Sequence, residues 1–270
     1  MKKIAVINDI SGFGKCSLTA AIPIISSNNM QCCPLVSGVF SNQTGYESFQ
    51  YADLTDYMQG FIDEWKKLNA QFDAIITGFI TNYKQAEIIK SFINEFKNEK
   101  TIVVADPVMA DGGERYLGFD DERISAVCSI AQKADIITPN ISELCLLCGE
   151  SFENIRGEKA IKKAETLSKR YYEKNGISLV VTGIETNENE ITTAVFNGKD
   201  FKTITNKKMG ESFSGTGDIM NAYLTCQLLK GKSLFESAKA SCEFISKAIQ
   251  VTMQKESINY ADGVDFEKLL

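Results

Sequence analysis

The sequence predicts an α/β fold, a three-layer α/β/α sandwich around a mostly parallel central sheet. Three observations carry this. Short apolar runs without polar alternation recur along the chain, as in strands buried on both faces of a parallel sheet. Helical patterns separate the runs, which is the alternation of a doubly wound domain. The runs also end on small or polar residues, and ligands of open parallel sheets bind beyond the carboxyl ends of strands.

The first run, residues 4–7 (IAVI), leads to Asn8-Asp9. Residues 74–76 (AII) lead to Thr77-Gly78, and 102–105 (IVVA) lead to Asp106-Pro107. Residues 136–137 lead to Thr138-Pro139-Asn140, and 179–181 (LVV) lead to Thr182-Gly183. Residues 54–68, 85–96, 121–131 and 158–171 read as crossover helices. Two short β runs flank Asn197-Gly198 within residues 191–206, a hairpin signal. Residues 110–118 (ADGGERYLG) suit a flap over a ligand. No internal repeat or linker composition appears, so residues 1–270 are expected to form one domain.

The chain of 270 residues carries 29 basic and 35 acidic side chains, a net charge of −6. No basic stripe stands out, which argues against nucleic acid as a partner. The opening MKKIAVIND is too short in apolar residues for a signal peptide. No run reaches membrane-spanning length. A cytoplasmic protein without a membrane partner is the expectation, and eight scattered cysteines agree with a reducing compartment. Cys145-x-x-Cys148 lacks a second pair and reads as buried helix residues rather than a zinc site. The chain has no histidine, which removes Ser-His-Asp and Cys-His catalysis. Acid–base work must fall to Asp, Glu, Lys, Tyr or Cys.

Between Ile10 and Tyr46 the only charged residue is Lys15. Average composition would put about nine charges there. The segment is therefore packed, or lines a pocket for a small neutral polar ligand, or both. Its GFGKCS stretch is neither a Walker A loop nor a dinucleotide fingerprint. Cys16 follows Gly14-Lys15 where Ser or Thr is needed, and the third glycine and the ribose-binding acid are missing.

The stretch ESFSGTGDIMNAYL, residues 211–224, is the best phosphate cradle. Gly215 and Gly217 let successive N–H groups converge at the start of a helix, which favours an anion. Asp218 follows at once. It reads either as a cap of its own helix or as a base for a hydroxyl attacking bound phosphate. The stretch alone leaves both open.

FSGTGDIM resembles the anion-hole motif of the ribokinase-like superfamily of small-molecule kinases. DPVM at 106–109, TPNISE at 138–143 and VVTG at 180–183 fall in that superfamily's order. FSNQTGY at 40–46 resembles the substrate loop of its pyridoxal kinase branch. The resemblance covers residues 9 to about 220. Two departures bear on the ring that is recognised. Gln43 stands where the branch usually has histidine, and Asn8-Asp9-Ile10-Ser11-Gly12 is closer to the opening of hydroxymethylpyrimidine kinases.

The resemblance implies a ribokinase-like sandwich and ATP-dependent phosphorylation of the hydroxymethyl group of a B6 vitamer. Asp218 would be the base, with Gly215, Thr216 and Gly217 as the anion hole. Asp9, Ser11, Asn42, Thr44, Tyr46 and Phe79 would meet the small-molecule substrate. Asp106, Asn140, Glu143, Thr182, Gly183 and Thr216 would meet the nucleotide. Mg2+ would sit near Asp106 and Glu143, a monovalent cation such as K+ is an allowed companion, and a homodimer is expected. A hydroxymethylpyrimidine kinase of thiamine synthesis and a non-catalytic binder of B6 vitamers or nucleotide stay open as alternatives.

Overall fold

The structure is a computed structural model that describes residues 1–152 and 156–270. The chain opens with β1 (Lys3–Ser11), α1 (Ser17–Ser27), β2 (Gln31–Phe40), β3 (Tyr51–Asp53) and α2 (Thr55–Lys67). It continues through β4 (Ala74–Thr77), α3 (Lys84–Phe96), β5 (Ile102–Ala105) and a short hairpin, β6 (Ala110–Asp111) with β7 (Glu114–Arg115). Next come α4 (Asp121–Ala131), β8 (Ile136–Ile137), α5 (Ile141–Leu147) and α6 (Glu158–Asn175). The last part holds β9 (Ser178–Asn187), β10 (Glu190–Phe196), β11 (Phe201–Lys207), α7 (Thr216–Leu229) and α8 (Leu234–Thr252).

Nine strands form one sheet in the order β11-β10-β9-β8-β5-β4-β1-β2-β3. The six from β9 to β2 are parallel, and β10, β11 and β3 run antiparallel at the two edges. The reason lies in the side-chain period of two. In β1, Ala5 and Ile7 enter one buried cluster while Ile4 and Val6 enter the other. In β5, Val103 and Ala105 point one way and Val104 the other. Strands apolar at every position need cover on both faces. Helices α2 to α6 supply it on one face, through Met58, Phe92, Val127, Leu144 and Leu167. Helices α1, α7 and α8 supply it on the other, through Ile24, Ile219 and Phe244. This is the three-layer sandwich the sequence predicts.

The strand order reverses at β1, which lies between β2 and β4. Chain connections leave to opposite faces there, so a crevice opens outside the carboxyl ends of the strands. Asn8, Asp9 and Thr77 stand at that point.

Some elements differ from expectation. The charge-poor segment contains α1 and β2, with Leu18, Ile24, Ile25 and Leu35 fully buried. Pro23 inside α1 and Pro34 inside β2 disguise both elements. Pro34 pairs only toward β1, where β3 does not reach, so its missing N–H faces a free edge. The run at 179–181 continues to Asn187 and forms a second hairpin with β10. Cys145 is buried on α5 and Cys148 caps that helix. Among the described residues no helix is long and apolar enough to cross a membrane.

Candidate active site

Helix α7 starts at a turn that only glycine can make. Gly215 is its N-cap, at φ +79°. A Cβ there would lie 2.0 Å from the Lys15 carbonyl oxygen, so the backbones of two loops touch. A glycine cap also brings no side chain to satisfy the first-turn N–H groups. They stay available for an anion, and the helix dipole favours one.

Besides its own backbone N–H, the Asp218 carboxylate bonds beyond its helix. Its Oδ1 accepts from Asn8 Nδ2 at 2.9 Å and its Oδ2 from the Ser17 N–H at 2.6 Å. Both donors come from the β1–α1 region. The carboxyl is thus pinned across the layers, toward the strand ends. Burial pushes its pKa up to about 6, with the nearby charge of Asp9 adding to the rise. The bonds from Ser17 and Asn8 oppose it. At neutral pH the group is ionised and yet close to its titration.

Asn8 is the hinge of the arrangement. Its Oδ1 accepts from the N–H groups of Asp9 and Phe79 at 3.0 and 2.9 Å. A Cβ on Gly78 would come within 2.6 Å of Asn8 Nδ2, so a side chain directly after β4 would displace the Asn8 amide. Ser17 is held at φ +48°, a left-handed conformation costly for a non-glycine residue. That strain lets its N–H reach Asp218 while its hydroxyl reaches Asp9 at 2.6 Å. Asp9 is only 5% exposed, and its second oxygen accepts from Ser11 at 3.0 Å. Burial raises its pKa and the serine bonds lower it.

A second carboxylate faces the glycine turn. Asp106, after β5, accepts from Asn221 Nδ2 at 2.8 Å through Oδ2. A Cβ on Gly217 would lie 3.3 Å from the same oxygen. Asn221 sits on the turn of α7 after Asp218 and also accepts from Thr138 at 2.7 Å. Burial and the charges of Glu143 and Asp218 hold the Asp106 pKa well above the usual carboxylate range. Such a group is poised to gain a cation. Glu143 is buried, and both its oxygens accept backbone N–H bonds, from Met109 at 3.0 Å and Asn140 at 2.9 Å. With Asn140 it forms the capping box of α5. These bonds hold the Glu143 carboxylate to the backbone, so a metal would meet it more readily through water than directly. Among the described residues no group of three or more acidic or thiol side chains is arranged to hold an ion alone. Mg2+ suits this donor set, since it keeps several waters and uses one or two carboxylates with substrate phosphates.

Asn140 also donates to the Ala110 carbonyl at 2.7 Å, tying the β6–β7 hairpin to this edge. Thr182 bridges to Asn140 in parallel register, and Gly183 follows beside it at φ +70°. These residues stand at β9, four strands from β1. At about 4.8 Å per strand the separation is about 19 Å. Asp218 and Asp106 lie between the two ends.

Loop 41–50 lies against the glycine segment after β1. The Gln43 N–H donates to the Phe13 carbonyl at 2.9 Å, and Gln43 Nε2 to the Ala261 carbonyl at 3.2 Å. Gln43 is buried and works as a strut within the loop, accepting from Gly45 N–H at 2.7 Å. Asn42 donates to the Ser48 carbonyl at 2.8 Å, Tyr46 donates to Asp262, and Thr44 is exposed. None of these three bonds to the Asp218 network. Lys15 pairs with Asp265 and with Glu267, which removes it as a phosphate ligand. Phe79 is half-buried in an edge-on aromatic group with Phe40 and Phe119, and Arg123 lies against it. Sequence reasoning passes over Ser17, Asn221 and Thr138 as site residues. Polar residues near helix starts and strand ends are common; the packing of α1 against α7 singles out Ser17, and that of α7 over the ends of β5 and β8 singles out Asn221 and Thr138.

The fold thus places a glycine turn at a helix start, with an aspartate beside it, at the carboxyl edge of a parallel sheet, and comparison with known proteins assigns it to a family of small-molecule kinases. A family profile described as phosphomethylpyrimidine kinase matches residues 25–263, and the chain belongs to that family. A hydroxymethylpyrimidine/phosphomethylpyrimidine kinase of Bacillus subtilis strain 168 is 30% identical over 184 residues, 67% of this chain and 65% of that protein. A pyridoxal kinase of Dictyostelium discoideum is 27% identical over 239 residues, 81% of this chain and 73% of that protein. The chain thus spans about two thirds of the length of the Bacillus relative. A Bacteroides thetaiotaomicron structure, provisionally assigned as a phosphomethylpyrimidine kinase and crystallised with pyridoxal, superposes with a TM-score of 0.92. It is 34% identical and covers 99% of this chain and 94% of its own.

Proposed function

We propose that this protein transfers the γ-phosphoryl group of ATP to the hydroxymethyl group of pyridoxal, pyridoxine or pyridoxamine. The observation that carries the reading is Asp218. It is an ionisable base with a pKa near 6, held by Asn8 and Ser17 beside an uncapped helix start. The acceptor hydroxyl gives its proton to the Asp218 carboxylate as its oxygen bonds to the γ-phosphorus. The bond from that phosphorus to the bridging oxygen breaks, and ADP leaves with the electron pair. The N–H groups of Gly215, Thr216 and Gly217 hold the charge spread over the transferring phosphoryl. Asp106 would hold Mg2+ directly and Glu143 through water, and the ion would neutralise phosphate charge. Asn140, Thr182 and Gly183 would border the nucleotide.

Support for a pyridine ring comes from two sides. The Bacteroides structure, similar over nearly the whole chain, was crystallised with pyridoxal. Asp9, the natural acceptor for a pyrimidine's exocyclic amine, is buried and already receives hydroxyls from Ser11 and Ser17. A hydroxymethylpyrimidine kinase is the second reading, favoured by the family match and the Bacillus relative. An ADP-release assay over both ring classes at saturating MgATP decides between them. Pyridoxal or pyridoxine is expected to exceed hydroxymethylpyrimidine by at least about tenfold in kcat/KM, since an unpaired buried polar group costs about 1–3 kcal/mol. The reverse order overturns the ring assignment.

A cytoplasmic location belongs to the same reading, and it agrees with the eight scattered cysteines. So does a homodimer. Tyr57, Phe61 and Leu68 of α2 and its end are exposed, as are Val39 and Tyr51 at the β2–β3 edge. Light scattering that returns a monomer at micromolar concentration would count against it.

A further inference from the structure

Beneath Asp218, on the side toward the sheet, lies a narrow cavity of about 10 Å3. Asn8, Thr77, Asp106, Asp218 and Asn221 line it, together with apolar side chains of β1, β4, α1 and α7. The volume is at the lower limit of what admits one water and leaves no room for a second. Thr77 is 1% exposed, and its Oγ1 has no hydrogen-bond partner among the described residues. A buried hydroxyl is costly to leave unpaired, so its position in the wall of a one-water cavity calls for a ligand.

We infer that the cavity is a binding site for one ordered water, held by Thr77 and joining it to Asp218 and Asp106. The donor and acceptor inventory balances. The Thr77 hydroxyl donates to the water oxygen. The water's two O–H groups donate to the carboxylates, each of which keeps a free lone pair beyond the bonds from Asn8, Ser17, the Asp218 N–H and Asn221. A cation is a poorer fit. Much of the wall is apolar, and the two asparagine amides donate into carboxylates rather than offering oxygen. Thr77 is then a positioning residue. It touches no reactant and acts by fixing the orientation of the Asp218 carboxyl from below. The inference rests on the reading of Asp218 as the base.

Two measurements test it. A crystal structure at near-atomic resolution should show one density peak within hydrogen-bond distance of Thr77 Oγ1 and the Asp218 carboxylate, displaced or missing in Thr77→Val. Thr77→Val should lower kcat by about tenfold, the worth of one buried hydrogen bond to a charged group. KM for either substrate should move less than about twofold, because neither substrate touches Thr77. Thr77→Ser restores the hydroxyl and should restore kcat. A wild-type cavity without density, or Thr77→Val turning over at the wild-type kcat, overturns the inference. Should Thr77→Val not fold, the wild-type density and Thr77→Ser decide alone. The density is read without turnover, so this failure is distinct from that of the base assignment, which Asp218→Asn tests.

Discussion

Asp218→Asn separates catalysis from folding, because the two respond in opposite directions. The Asp218 pKa is raised from 3.8 to about 6 in the fold. A carboxyl shifted upward contributes stability that is present below its unfolded value and is lost as pH rises through its folded one. Ionising it in the fold costs about 3 kcal/mol in full, because each pH unit between the two values is worth about 1.36 kcal/mol. About half of that is already lost at pH 5, and about 1.4 kcal/mol more goes between pH 5 and pH 8. Asparagine removes the penalty. It cannot, however, accept from both Asn8 Nδ2 and the Ser17 N–H, and one clash of donors costs about 1–3 kcal/mol. The variant should therefore lie within about 2 kcal/mol of wild type at pH 8. Its stability relative to wild type should rise by about 1.4 kcal/mol from pH 5 to pH 8. Turnover should fall by at least about a hundredfold, since positioned bases contribute 10²–10⁴. Urea melts at the two pH values read the first quantity, and coupled ADP release reads the second. A variant that keeps more than about half the wild-type rate refutes the base assignment. A stability difference flat in pH refutes the buried-charge account.

Three further outcomes follow from the same geometry. The kcat/KM profile should have an acid limb near pH 6, falling about tenfold per unit below it, because the base must be ionised; a limb near pH 4 would remove Asp218 from that role. Gly215→Ala should lose at least about 3 kcal/mol or all activity, since its Cβ would sit 2.0 Å from the Lys15 carbonyl oxygen at φ +79°; a stable, active variant would show that the two loops do not meet. Gln43→Ala should raise KM for the ring substrate several-fold while KM for MgATP changes less than about twofold, because the Gln43 side chain braces loop 41–50 through Gly45 and ties it to the Ala261 carbonyl, and neither bond reaches Asp106 or Asn140; equal changes in both would detach that loop from ring binding.

Local pattern alone settles a good part of this molecule. Strands such as β1 and β5 are apolar at consecutive positions, and that pattern demands cover on both faces wherever the chain goes. Amphipathic spacing does the same for α3, whose Ala86, Ile89, Phe92, Ile93 and Phe96 are buried. The glycine turn before Asp218 is legible because φ +79° and backbone-to-backbone approach leave glycine no substitute. Elements α1 and β2 are not legible, because Pro23 and Pro34 carry breaker signals that helix packing and a free sheet edge override.

The choice between cap and base at Asp218 is a different kind of question. Residue order establishes that an aspartate follows a glycine turn at a helix start, and nothing more. Where its oxygens point depends on how the layers pack. Asn8 reaches it from 210 residues away and Ser17 from 201, and the burial that moves its pKa to about 6 comes from α1 and the strand ends packed over it. Desolvation and charge–charge interactions depend on distance in space, which neighbouring residues in a chain do not encode. The same holds for Thr77, an ordinary strand-end residue in sequence and an unpartnered hydroxyl in the wall of a one-water cavity once β4, α1 and α7 have closed around it.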